Sequence, residues 1–214
     1  MSFAEAPRER DRGLDRYLTF VDAVVAIAIT LLVLPLTELG ADLADDQSVA
    51  DLLGEHKGEI WSFLLSFLVI ANIWFLQHRA LRSLVALNGL VMRMLLLWLL
   101  AIVLLPFFTE LVAAAPDDRT TKVLYFGAIT AASACVAVIE MTMRRNPDLV
   151  DIGDGTAAAR VTGAWVNVGL LIAAAVLSIA VPALSYYPLL LLLADNLVLG
   201  LRRRGGAGRP ALSG

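Results

Sequence analysis

The chain has 214 residues, of which 59% are hydrophobic, with a mean hydropathy of +0.76 and a net charge of −3. That is too apolar for a soluble domain of this length, and the basic residues cluster between long apolar runs, as in a protein that crosses the bilayer several times. A single cysteine, Cys135, excludes an internal disulfide and reads as a small packing residue inside an apolar run.

Residues 1–15 are polar, with Arg8, Arg10 and Arg12 among acids, and read as a cytoplasmic leader. The stretch from Asp15 to Pro35, DRYLTFVDAVVAIAITLLVLP, predicts the first membrane helix, from Arg16 to Leu36. At about 1.5 Å per residue, Tyr17 to Leu36 spans about 30 Å, one hydrocarbon thickness. No short apolar core followed by small residues precedes it, so no cleaved signal peptide is expected. The acidic segment 38–59 has room for a short amphipathic helix outside the bilayer.

A second apolar run, Ile60–Leu76, carries Trp61 and Trp74 near its ends, where interfacial anchors belong. A third, Leu84–Leu111, is interrupted by Asn88 and Arg93 and is expected to bend or end near Pro106. A fourth covers Val123–Ile139 and a fifth Val161–Val181. A sixth, Ala183–Leu201, closes on Arg202, Arg203 and Arg204. The fold class predicted is an all-α integral membrane protein with six transmembrane helices. Residues 16–201 form the membrane domain, and 202–214 a basic, flexible cytoplasmic tail. Thirteen of the 17 Lys and Arg residues fall on the side of the two termini and three on the other, with Arg93 set apart as intramembrane. By the positive-inside rule both termini are cytoplasmic, in the cell membrane.

Polar groups recur inside the apolar runs at one depth. Asp22, Asn72, Arg93, Asn167 and Asp195 each lie about 9 Å in from the basic end of a helix. Charges at such depth are costly unless they face one another or water. The expectation is therefore that Arg93 pairs with Asp22 or Asp195, with His78 and Asn88 in the same layer, as a structural clamp or as a proton or ion relay. On the first helix, at about 100° per residue, Ile27, Thr30, Leu31 and Leu34 share a stripe about 100° wide. Ala23 extends that stripe and Asp22 points elsewhere. By itself such a stripe in a membrane helix usually means lipid contact or packing.

Arg16, Phe20 and Asp22, followed by AVVAIAITLLVL, resemble the R-x-x-x-F-S-D motif and first helix of the endosomal and lysosomal potassium channels and their six-helix bacterial relatives. Val21 stands where that motif has serine. SFLLSFLVIANIWFLQHR and LNGL followed by LLPFFTEL are similar to that family in order and spacing. The resemblance implies a homotetramer in which the first helix of each subunit lines a central pore permeable to K⁺ and other monovalent cations. It implies that Ile27 forms the narrowest apolar ring, that Leu31 and Leu34 continue the constriction, and that Thr30 contributes to ion selectivity. Arg16, Phe20 and Asp22 would hold the cytoplasmic end of that helix, with His78 and Asn88 contributing; together with the Arg93 and Asp195 of the polar layer these make up the expected polar network. A ring of Ile and Leu side chains can close a pore by dewetting it.

The chain has no T-V-G-Y-G loop, so a carbonyl-lined filter is excluded and modest selectivity is expected. No Arg-rich helix is present, so strong voltage gating is not expected. His56 and His78 are too few and too far apart for a metal site. No nucleophile with a base and no nucleotide loop occurs, so neither enzyme activity nor a cofactor is expected, nor is nucleic acid a partner. The alternative is a secondary transporter or proton pathway using the Asp22/Arg93/Asp195 layer, which requires discontinuous helices and a midplane site.

Overall fold

A computed structural model describes residues 12–39, 48–151, 157–181, 184–190 and 192. Its architecture is all-helical, a multi-pass membrane bundle. Helix α1 runs Arg12–Leu31, α2 Leu34–Glu38, α3 Val49–Glu55, α4 Lys57–Leu81, α5 Gly89–Ala114, α6 Arg119–Arg145 and α7 Ala157–Ala180. Counting α1 and α2 together, five helical segments are long and apolar enough to cross a membrane. A helix is the natural form for each, because its backbone groups bond within the segment and leave none facing lipid. Of the sixth predicted run only its beginning is described, with a turn at Leu184–Tyr186 and helix at 187–190.

Several boundaries differ from the sequence expectation for definite reasons. The first helix does not run unbroken to Leu36. The chain breaks at Leu32–Val33, where Val33 N–H still reaches Thr30 O at 3.3 Å, and Pro35 then sits in the first turn of α2. Proline is tolerated there because its missing N–H would have no intrahelical acceptor. Helix α4 continues past Leu76 through Gln77, His78 and Arg79, since leaving the apolar zone does not end a helix. Pro106 lies within α5, which continues to Ala114. Membrane helices tolerate such a break because neighbouring helices and side chains satisfy the freed carbonyl. Helix α3 is the short segment anticipated between the first two spans, capped by Ser48, whose Oγ accepts from Asp51 N–H at 3.2 Å.

Helix α6 is the centre of the bundle, packed on α5, α7 and α4. Ala128, Ala132, Ser133 and Ala137, all buried, keep it thin, so neighbouring backbones come close and van der Waals contact accumulates. The main core joins Val25, Ala28, Val69, Trp98, Ile102 and Tyr125. In its interior Tyr125 OH and Ser66 Oγ are 2.9 Å apart, and Thr109 Oγ1 lies 2.8 Å from Ser66 Oγ. A second, smaller core sits at the arginine-rich end around Leu14, Leu84, Val91, Ile139 and Leu149.

At the acidic end Lys122 is fully buried. Its Nζ donates to Ser178 O at 3.3 Å and lies 3.6 Å from Asp117 Oδ1. Asp118 caps α6, its carboxylate accepting from Thr121 N–H at 2.8 Å, and that bond holds the carboxyl below its ordinary range.

Candidate functional site

Helix α1 lies on the outside of the bundle, packed mainly on α5. Its packed face is Leu14, Val21, Val25 and Ala28, continued by Leu32 in the turn, all buried. The opposite face carries Ile27 (58% exposed), Leu31 (44%) and Leu34 (55%), with Thr30 and Ala23 exposed beside them. The stripe counted at 100° per residue is thus the face that α1 turns away from its own subunit. Thr30 Oγ1 donates to Ile27 O at 2.8 Å. Its proton is committed to the helix and its lone pairs are directed outward, as an acceptor.

Asp22 is half-buried on the side facing α4, where Oδ1 accepts from Trp74 Nε1 at 2.8 Å. The His78 ring lies 5.4 Å from the indole, centre to centre, and is itself exposed. The structure therefore joins Asp22, Trp74 and His78 between α1 and α4. Trp74 thus uses its one donor on Asp22, across the α1–α4 contact.

The expected Asp22–Arg93 pair does not form. Arg93 is exposed and turns back on its own helix, Nε donating to Gly89 O at 3.0 Å. Asn88 is not an interruption within the third span but its N-cap. Its Oδ1 accepts from Leu90 N–H at 3.1 Å and Val91 N–H at 2.8 Å. With α5 starting at Gly89, Arg93 sits only about 6 Å from the helix end and can extend its charge toward that end.

Arg16 and Phe20 are exposed, the Phe20 ring 6.5 Å from Tyr17. Asp195 lies outside the described residues. Two other members of the predicted layer, Asn72 and Asn167, line one small cavity with Ser133, between α4, α6 and α7.

Sequence reasoning missed one tie at the arginine-rich end. Arg160 Nε lies 3.2 Å from Glu140 Oε2, with Glu140 only 7% exposed. Glu140 follows one apolar run and Arg160 precedes the next, where charges ordinarily meet water, and only the fold shows Glu140 buried with the half-buried Arg160 beside it.

Residues 16–106 match a family model described as endosomal/lysosomal potassium channel TMEM175. No curated protein matches the chain. Among solved structures, the chain is similar to a lysosomal potassium-selective channel TMEM175 homolog from Chamaesiphon minutus, at 22% identity and a TM-score of 0.69. That likeness covers 90% of this chain and 98% of the other. The family resemblance read from Arg16, Phe20 and Asp22 thus holds across the first three spans, and the whole bundle has the fold of a bacterial TMEM175 homolog.

Proposed function

We propose that this protein is a potassium-permeable cation channel of the cell membrane, built from four copies, with α1 of each copy lining a central pore. The observation that carries this reading is the two-sided character of α1. One face is committed to its own subunit, while Ile27, Thr30, Leu31 and Leu34 are presented outward within the stretch that matches the channel family. Around a four-fold axis, Ile27, Leu31 and Leu34 form stacked apolar rings that water and ions leave when the helices draw together. Thr30 supplies four hydroxyl oxygens one turn beyond Ile27. Because each hydroxyl proton is held by the Ile27 carbonyl, the oxygens meet a cation as acceptors and replace part of its lost hydration. The thirteen basic residues on the side of the two termini support a cytoplasmic position for both.

Secondary transport through an Asp22/Arg93/Asp195 layer is less well supported, since Asp22 is engaged by Trp74 and Arg93 by its own helix. Cysteine accessibility separates the readings. In a Cys135→Ser background, Ile27→Cys protein in K⁺-loaded liposomes should lose most of its K⁺ flux on treatment with a cationic thiosulfonate. Flux that survives complete modification at position 27 would place that side chain outside the permeation path.

A further inference from the structure

The arginine-rich end of the bundle is more tightly organised than connecting loops usually are. Two inter-helix segments, 82–88 and 146–151, meet there as an antiparallel bridge between Leu84 and Val150. Val85 N–H donates to Leu149 O at 2.8 Å and Asp151 N–H to Ser83 O at 3.0 Å. The ion pair lies beside this bridge. Arg160, in the first turn of α7, places Nε 3.2 Å from Glu140 Oε2 of α6 and Nη1 3.5 Å from Ser83 Oγ. One guanidinium thus ties α6, α7 and the α4–α5 connection together. Beneath it, Leu84, Val91, Ile139, Met143 and Leu149 close a small apolar socket, and the side chain that fills it is Leu14 of α1, with no exposed surface. The base of α1 is therefore seated in a socket walled by α5, α6 and the two bridged segments.

We propose that Glu140, Arg160 and Leu14 are positioning residues that fix the base of α1, so that the Arg160–Glu140–Ser83 tie sets how readily that helix tilts or rotates. None of the three lies on the exposed stripe, so their effect on permeation passes through the helix. The consequence for gating rests on α1 being the pore helix, but the mechanical claim does not. An ion pair whose carboxylate is buried is suited to such a role. Loss of one partner leaves an uncompensated charge that drives the site open, whereas neutralising both leaves a hydrogen-bonding pair of similar shape.

Amide hydrogen exchange on the detergent-solubilised protein tests the mechanical claim without any need for ion flux. Arg160→Gln should raise exchange about tenfold or more at Val85 and Asp151 and along α1 as far as Asp22, while α6 around Ala132 stays protected. The double variant Glu140→Gln/Arg160→Gln should recover most of the protection, and it serves as the comparison if the single variant folds poorly. Leu14→Ala should loosen the α1 amides alone. Unchanged exchange in α1 when Val85 and Asp151 are exposed would overturn the proposal, as would equal loosening in the single and double variants. In bilayer recordings the single variant should change open probability several-fold with the same unitary conductance. A changed conductance with unchanged open probability would remove the gating role. Absence of current in the wild type would count against the channel reading while leaving the exchange result to decide the socket.

Discussion

At the residue scale, the bond between Trp74 Nε1 and Asp22 Oδ1 carries more than the charge of Asp22. An indole N–H has one proton to give and no alternative use for it inside an apolar bundle. Asp22→Ala is expected to cost about 1 kcal/mol, mostly from the orphaned donor, and to lower the yield of assembled protein. Asp22→Asn, which keeps an acceptor oxygen, should lose less. Thermal unfolding of the three proteins in one detergent orders them, and an Asn variant no better than Ala would assign the effect to charge instead.

That Asp22 points into the bundle was readable from its angle on the helix. Its partner was not, because it lies 52 residues away and belongs to a residue type that more often marks the membrane surface. Arg93 misled for a related reason. A charge inside an apolar run reads as buried, but Asn88 caps α5 one residue before Gly89 and leaves Arg93 near the helix end.

At the element scale, hydropathy locates the membrane but not the helix. Helix α4 keeps its hydrogen bonds through His78 and Arg79, and α6 runs from Arg119 to Arg145 where the apolar run suggested Val123 to Ile139. The stop and start signals that do mark ends are chemical ones, the Asn88, Asp118 and Ser48 side chains that cap backbone N–H groups. Asp118 yields a pH prediction. Its carboxyl is held below the ordinary aspartate value of about 3.9 by the Thr121 N–H. The stabilisation is therefore complete above that value and disappears as the pH falls through the lower, folded one. Asp118→Asn keeps a capping oxygen without the charge. Its melting temperature should lie below that of the wild type at neutral pH, and the gap should close in strong acid. A gap that does not depend on pH would show that the charge at this cap contributes nothing.

At the scale of the whole molecule, the all-helical, multi-pass organisation followed from composition, and the outward stripe of α1 from the spacing of Ile27, Thr30, Leu31 and Leu34. The socket at the arginine-rich end was not legible, because it is built by two connections that approach only after five helices have packed. What makes the bundle a candidate channel is that its first helix shows a continuous apolar face to something other than its own subunit. In the proposed tetramer, four such faces around an axis would make a pore that apolar side chains close, with Thr30 as a polar ring within it.

The most direct test is a planar-bilayer recording of purified protein under a KCl/NaCl gradient, wild type against Ile27→Asn. A polar side chain at the narrowest ring should hold water there, so unitary K⁺-favouring currents should appear in the wild type and grow several-fold in the variant. Currents unaltered by Ile27→Asn would place the stripe against lipid, and silence in both proteins would contradict the channel itself.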